Sequence, residues 1–150
     1  MQTRLFLAAI CLPATLLFAG SDFQPLNVKP GLWHVTANNN LTGTPHTVSY
    51  KKCITPKDLN TNPWANGPEE KCVWKVVKSS SSDMEVHGAS CDAGKEYGLD
   101  TNVDLKIHAV DTENVKASME GTSKGNGQNM NFSGAYTGKW VQASCPAGTD

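Results

Sequence analysis

The chain has a single arginine, Arg4, and it lies within the first five residues. The remaining residues set twelve lysines against fourteen carboxylates, with no run of one sign longer than Lys51-Lys52. Recognition of a phosphate backbone rests on clustered Arg and Lys, so a nucleic-acid partner is excluded, and Lys51-Lys52 reads as a solvated strand end. An apolar run long enough to cross a bilayer is missing too. The longest, residues 5–18, has about 14 residues where a spanning helix needs about 20. The signatures of common chemistries are absent: no C-x-x-C, no H-E-x-x-H, no phosphate-cradling glycine loop and no haem-attachment motif. No convincing amphipathic helix appears either, which turns attention to strands.

The short apolar run comes after a basic start and ends at Ala19-Gly20 before polar Ser21-Asp22. That is the layout of a cleavable signal peptide, residues 1–20, with the cut after Ala19 or Gly20. Residues 21–150 then form one domain of ordinary size, expected in the periplasm or secreted.

Within that domain the apolar residues alternate. Leu32 to Thr36 opens a β-rich stretch that ends at Asn38-Asn39-Asn40, and a second strand fits residues 44–54. Thr55-Pro56-Lys57-Asp58 reads as an N-cap with proline at the first helical position, hence one helical turn. Residues 60–71, rich in Asn, Pro and Gly around Trp64, read as an irregular loop. Residues 101–109 alternate apolar and polar as a half-buried strand does.

Two hairpins can be placed in register, because the period of two must match on both arms. A turn centred between Ser81 and Ser82 sets Lys78 opposite Glu85, Val76 opposite His87, Trp74 opposite Ala89 and Cys72 opposite Cys91. A Gly125-Asn126 turn, with glycine at its first position, sets Gly121 opposite Met130, Met119 opposite Phe132, Ala117 opposite Gly134 and Val115 opposite Tyr136. The expected fold is all-β: an antiparallel meander of about seven strands, curled or partly closed into a barrel to limit its edges.

Cys11 falls in the signal peptide, leaving Cys53, Cys72, Cys91 and Cys145, an even set in an exported chain. Their scattered spacing argues for disulfides over a zinc site. The hairpin register pairs Cys72 with Cys91 and leaves Cys53 with Cys145. The rival pairs Cys53 with Cys72 and Cys91 with Cys145. In a plain up-and-down meander Cys145 lies at the opposite end from the other three, so either the C-terminal segment turns back or the meander is interrupted.

Gly121-Thr122-Ser123-Lys124-Gly125 matches the G-x-S-x-G pattern of serine hydrolases. That chemistry needs a strand, a strained turn and then a helix, whereas this segment leads into a hairpin. Ser123 is therefore no nucleophile on this reading. His34, His46, His87 and His108 fall on different strands without ligand spacing, His108 on a polar face and His87 facing Val76. No catalytic residue, metal ligand or cofactor site is assigned, and the chain is read as a non-enzyme.

Trp33, Met119, Met130, Phe132, Tyr136 and Trp140 are large apolar residues on strands, accompanied by Gly121, Gly134 and Gly138. Glycines that let a sheet curl can leave a cavity lined by such side chains. One reading is an exported β protein that binds an apolar small molecule, lipid or envelope component there. The other is a structural or protein-interaction module, with Trp64 in its loop as the contact.

Pro30-Gly31-Leu32-Trp33, Gly43-Thr44-Pro45, Cys53-Ile54-Thr55-Pro56-Lys57-Asp58, the cysteines flanking a hairpin and Cys145-Pro146 together resemble the bacterial domain-of-unknown-function family 3617. The likeness covers nearly all of the mature chain. It implies a signal peptide and a periplasmic or secreted location, and it implies no activity. His34 departs from the acidic residue usual after the tryptophan, and residues 141–144 replace the usual glycine-bearing approach to the last cysteine.

Overall fold

The computed structural model describes residues 23–41, 43–60, 72–92 and 95–147. The expected signal peptide and the loop residues 61–71 with Trp64 lie outside them. Seven strands form: β1 (Gly31–Leu41), β2 (Thr44–Ile54), β3 (Val73–Ser79), β4 (Asp83–Ala89), β5 (Asp100–Ala109), β6 (Asn114–Gly125) and β7 (Gln128–Gln142). One helical turn, α1 (Pro56–Asn60), comes after β2. Thr55 caps it: its N–H and hydroxyl both donate to Asp58 Oδ2, and Asp58 N–H donates back to Thr55 Oγ1. The fold class is the all-β meander expected from the alternation.

All seven strands belong to one antiparallel sheet, in the order β2-β1-β7-β6-β5-β4-β3. The sheet is not closed, and its edges are β2 and β3. These two are consecutive strands in the chain, and they do not pair. Because every neighbouring pair is antiparallel, β2 and β3 run the same way, so β2 ends where β3 ends. This break in the meander resolves the cysteine conflict. β1 sits between β2 and β7, which brings the end of β7 beside the end of β2. Cys53 pairs with Cys145 there, Cα atoms 5.7 Å apart, and Cys72 pairs with Cys91 at the other end. The rival pairing is excluded. Two disulfides suit an oxidising, extracytoplasmic setting. No helix among the described residues is long and apolar enough to cross a membrane.

Both hairpin registers need correction. In β3 and β4, Lys78 does stand opposite Glu85, but an extra residue at Val77 then shifts the ladder. Val76 faces Val86 rather than His87, and Trp74 faces Gly88 rather than Ala89. Ser90, with a left-handed φ of 50°, inserts a second irregularity on the other arm. The two offsets cancel, which is why Cys72 still meets Cys91. In the β6–β7 hairpin the turn is Asn126-Gly127, with φ of 48° and 75°, the pattern of a type I′ turn. Partners move by two residues: Gly121 faces Phe132, Met119 faces Gly134, Ala117 faces Tyr136 and Val115 faces Gly138. An even shift keeps every side chain on its expected face.

A single-layer sheet buries its apolar face only by curving over it and by covering its ends. Leu32, Trp33, Ala37, Met84, Val86 and Val103 are buried, Trp33 to 1 % exposure and Met84 to 2 %. Residues 23–30 cross the end of the sheet at which β1 begins. Asn27 N–H donates to Ser81 O, Lys29 N–H to Thr112 O, and Ser79 Oγ to Gln24 O. The indole N–H of Trp33 donates to Lys29 O at 3.0 Å, and that of Trp140 to Pro30 O at 3.0 Å. Both tryptophans therefore tie this strap to the sheet and seal that end.

Candidate functional site: the inner face of the curled sheet

The inner face is built from every second residue of each strand, and the register arranges these in rows. One row crosses the sheet as Val48, Ala37, Tyr136, Ala117, Ile107 and Met84. Another contains Gly134, Met119, Leu105 and Val86, and a third contains Phe132, Gly121, Val103 and Gly88. The six residues singled out from the sequence divide along the strand direction. Trp33 and Trp140 belong to the sealed end, with Trp33 buried and Lys29 Nζ 4.8 Å from the Trp140 ring centroid. Met119, Phe132, Tyr136 and Met130, farther from the strap, stay partly exposed.

Rings occupy the space that the glycines leave. A side chain at Gly121 would meet the Phe132 ring, one at Gly88 the Trp74 ring, and one at Gly138 the Val115 and Trp33 side chains. Aromatic side chains laid over cross-strand glycines pin register in a sheet. The Tyr136 hydroxyl donates weakly to Met119 Sδ at 3.6 Å. Burial, with a smaller contribution from nearby Tyr50, raises the Tyr136 pKa above 10.0. A polar atom interrupts the face: Asn39 Oδ1 is buried against Gly134 with no hydrogen-bond partner among the described residues.

Sequence reasoning did not include β2 in this face. Val48 and Tyr50 are 37 % and 46 % exposed and extend the apolar surface toward the open edge. Their alternation with Thr47, Ser49 and Lys51 was a usable signal, but only the position of β2 beside β1 gives it meaning.

Ser123, the centre of the G-x-S-x-G match, lies within β6, 8 % exposed, its Oγ 2.7 Å from Thr101 Oγ1. His87 bonds Asp104 at 2.7 Å across β4 and β5 instead of facing Val76, and His108 bonds Asp83 at 2.9 Å on the polar face. His34 and His46 are exposed on β1 and β2. Among the described residues no group of three or more His, Cys, Asp or Glu could hold a metal ion. The polar face carries two open depressions of about 480 and 440 Å³. The first gathers Asn40, Asn102, Asn131, Asp104 and Glu120, and the second His34, Lys116 and Lys139.

A family model described as a protein of unknown function (DUF3617) matches residues 28–145. No curated protein and no solved structure matches the chain.

Proposed function

The chain belongs to the DUF3617 family, and we propose that it is an exported, non-catalytic β protein that receives an apolar small molecule or lipid on the inner face of its sheet. One observation carries this reading. Trp33 is buried at the strap end of the apolar face, yet farther along it Met119, Met130, Phe132 and Tyr136 stay partly exposed and continue onto exposed Val48 and Tyr50. Large apolar side chains left in contact with water and reaching an open sheet edge are the kind of surface that binds apolar partners. The two disulfides and the signal-peptide layout of residues 1–20 support a periplasmic or secreted location. The hydrogen bond of Ser123 to Thr101, and of two histidines to single aspartates, supports a role without catalysis.

Native mass spectrometry of the protein purified from its own host tests the proposal. A retained apolar molecule, released by Tyr136→Lys or Met119→Lys, is the expected result. A protein that is empty, and that also fails to bind fatty acids, phospholipids or a hydrophobic fluorescent probe, refutes it.

A further inference from the structure

Among the described residues four ion pairs form, and two of them, His87–Asp104 and His108–Asp83, lie on the polar face of the sheet. The others join Lys29 with Glu113 at 2.5 Å and Lys95 with Asp92. Glu85 lies between Lys78 and Lys106 in the ladder. Charge of one sign gathers at another place on this face. Across β2, β1 and β7 the register sets Lys51, His34 and Lys139 side by side, and in the next row Thr36, Thr137 and Lys116. Lys116 and Lys139 are diagonal neighbours on adjacent strands, and none of Lys51, His34, Lys116 or Lys139 forms an ion pair among the described residues. A protein whose formal charge is −1 has carboxylates enough to neutralise them, and here it does not.

All of these residues except Lys51 line the 440 Å³ depression, so the charge of Lys116 and Lys139 converges on a concave surface. Among the described residues that line it one carboxylate occurs, Asp111, which stays ionised and leaves the two lysines one formal positive charge in excess. Its Oδ1 accepts the Glu113 N–H at 2.7 Å and the Asn114 amide at 2.9 Å. The Thr137 hydroxyl has no partner among the described residues, and that of Thr36 shares one bond with Ser49. Two ammonium groups, an imidazole and two hydroxyls around one hollow offer donors from several directions.

We propose that this depression binds a phosphate group, with Lys116 and Lys139 supplying charge and His34, Thr36 and Thr137 supplying hydrogen bonds. A tetrahedral oxyanion takes donors from many directions, and lysine serves it as a point charge. The hollow is wide enough to accept the phosphate together with the first atoms it is attached to. This site lies on the face opposite the apolar surface and does not depend on it.

The test uses the oxidised mature chain, with backbone amide shifts followed as inorganic phosphate is added at constant ionic strength. Saturable shifts confined to Thr36, Lys116, Thr137 and Lys139 are expected. The double substitution Lys116→Gln/Lys139→Gln weakens binding by about tenfold or more, the loss expected for charge-assisted bonds, and Lys124→Gln at the far end of β6 leaves it unchanged. Sedimentation with phosphatidylglycerol vesicles, against phosphatidylcholine vesicles, identifies the source. Pelleting that inorganic phosphate reverses and the double variant lacks assigns a lipid headgroup. Phosphate binding without pelleting assigns a soluble phosphorylated molecule. Absence of saturable shifts, or equal phosphate affinity in the double variant, overturns the site.

Discussion

Phe132 and Gly121 stand directly opposite each other on β7 and β6, and the phenyl ring lies where a side chain on Gly121 would begin. A methyl placed there would come within 2.1 Å of the ring's Cζ. The ring must therefore leave the sheet or the strands must separate. Gly121→Ala is expected to cost about 1 to 3 kcal/mol, the usual range for overpacking a filled site. Urea denaturation measures it. Phe132→Leu in the same chain should recover part of the loss, giving a coupling between the two positions that independent sites would not show.

The two disulfides close loops of very different length, and chain entropy ranks them. Cys53–Cys145 spans 92 residues and Cys72–Cys91 spans 19. Removing the first by Cys→Ser at both positions should cost about 4.5 kcal/mol and removing the second about 3 kcal/mol. Thermal unfolding of the two double variants, each with its other bridge intact, checks the order. A larger loss from the short loop would mean that its local geometry, rather than denatured-state entropy, dominates.

What could be read along the chain was local. Strand extents and faces come from a period of two, and the helical turn from Thr55, Pro56 and Asp58. The β6–β7 turn was misplaced because Gly125, Asn126 and Gly127 offer two overlapping two-residue turns. Asn126-Gly127 takes both left-handed positions. Gly125 is needed for another reason, since a Cβ there would meet Gly98 O at 2.1 Å. The bulge at Val77 left no mark that alternation could reveal. Least legible was the pairing of β1 with β7, about a hundred residues apart, because nothing in either strand names its partner. The meeting of Cys53 with Cys145, the inward face of Val48 and Tyr50, and the clustering of His34, Lys116 and Lys139 all depend on that one pairing.

Stability should fall on both sides of neutral pH, for separate reasons. Asp58, Asp83 and Asp111 are held below the usual carboxylate value of 3.8. The Thr55 hydroxyl acts on Asp58, the Ser82 hydroxyl and then His108 on Asp83, and the Glu113 N–H and then the Asn114 amide on Asp111. A lowered folded pKa contributes stability that is present above the unfolded value and is lost as pH drops through the folded one. The acid limb therefore begins below about pH 4, and Asp111→Asn should make it shallower. Tyr136 works in the opposite sense. Its raised pKa favours the neutral phenol in the folded chain, so that contribution is present below pH 10.0 and is lost as pH rises past it. Tyr136→Phe should remove this part of the alkaline limb, followed by tyrosinate absorbance and denaturant midpoints across pH.

Asn39 offers a test of whether stability and function compete on the inner face. Its Oδ1 is buried without a partner among the described residues, where a side chain on Gly134 would meet it. An unsatisfied buried acceptor carries a desolvation cost of about 1 to 3 kcal/mol, and an apolar group of similar shape avoids it. Asn39→Leu should therefore stabilise the chain by about 1 kcal/mol, seen as a higher denaturant midpoint at unchanged slope. If the inner face receives an apolar ligand only by shape, the same variant should bind that ligand as well as the parent or better. If it instead loses the ligand while gaining stability, Asn39 is kept for a hydrogen bond that the ligand supplies, which would make the bound molecule amphiphilic rather than wholly apolar.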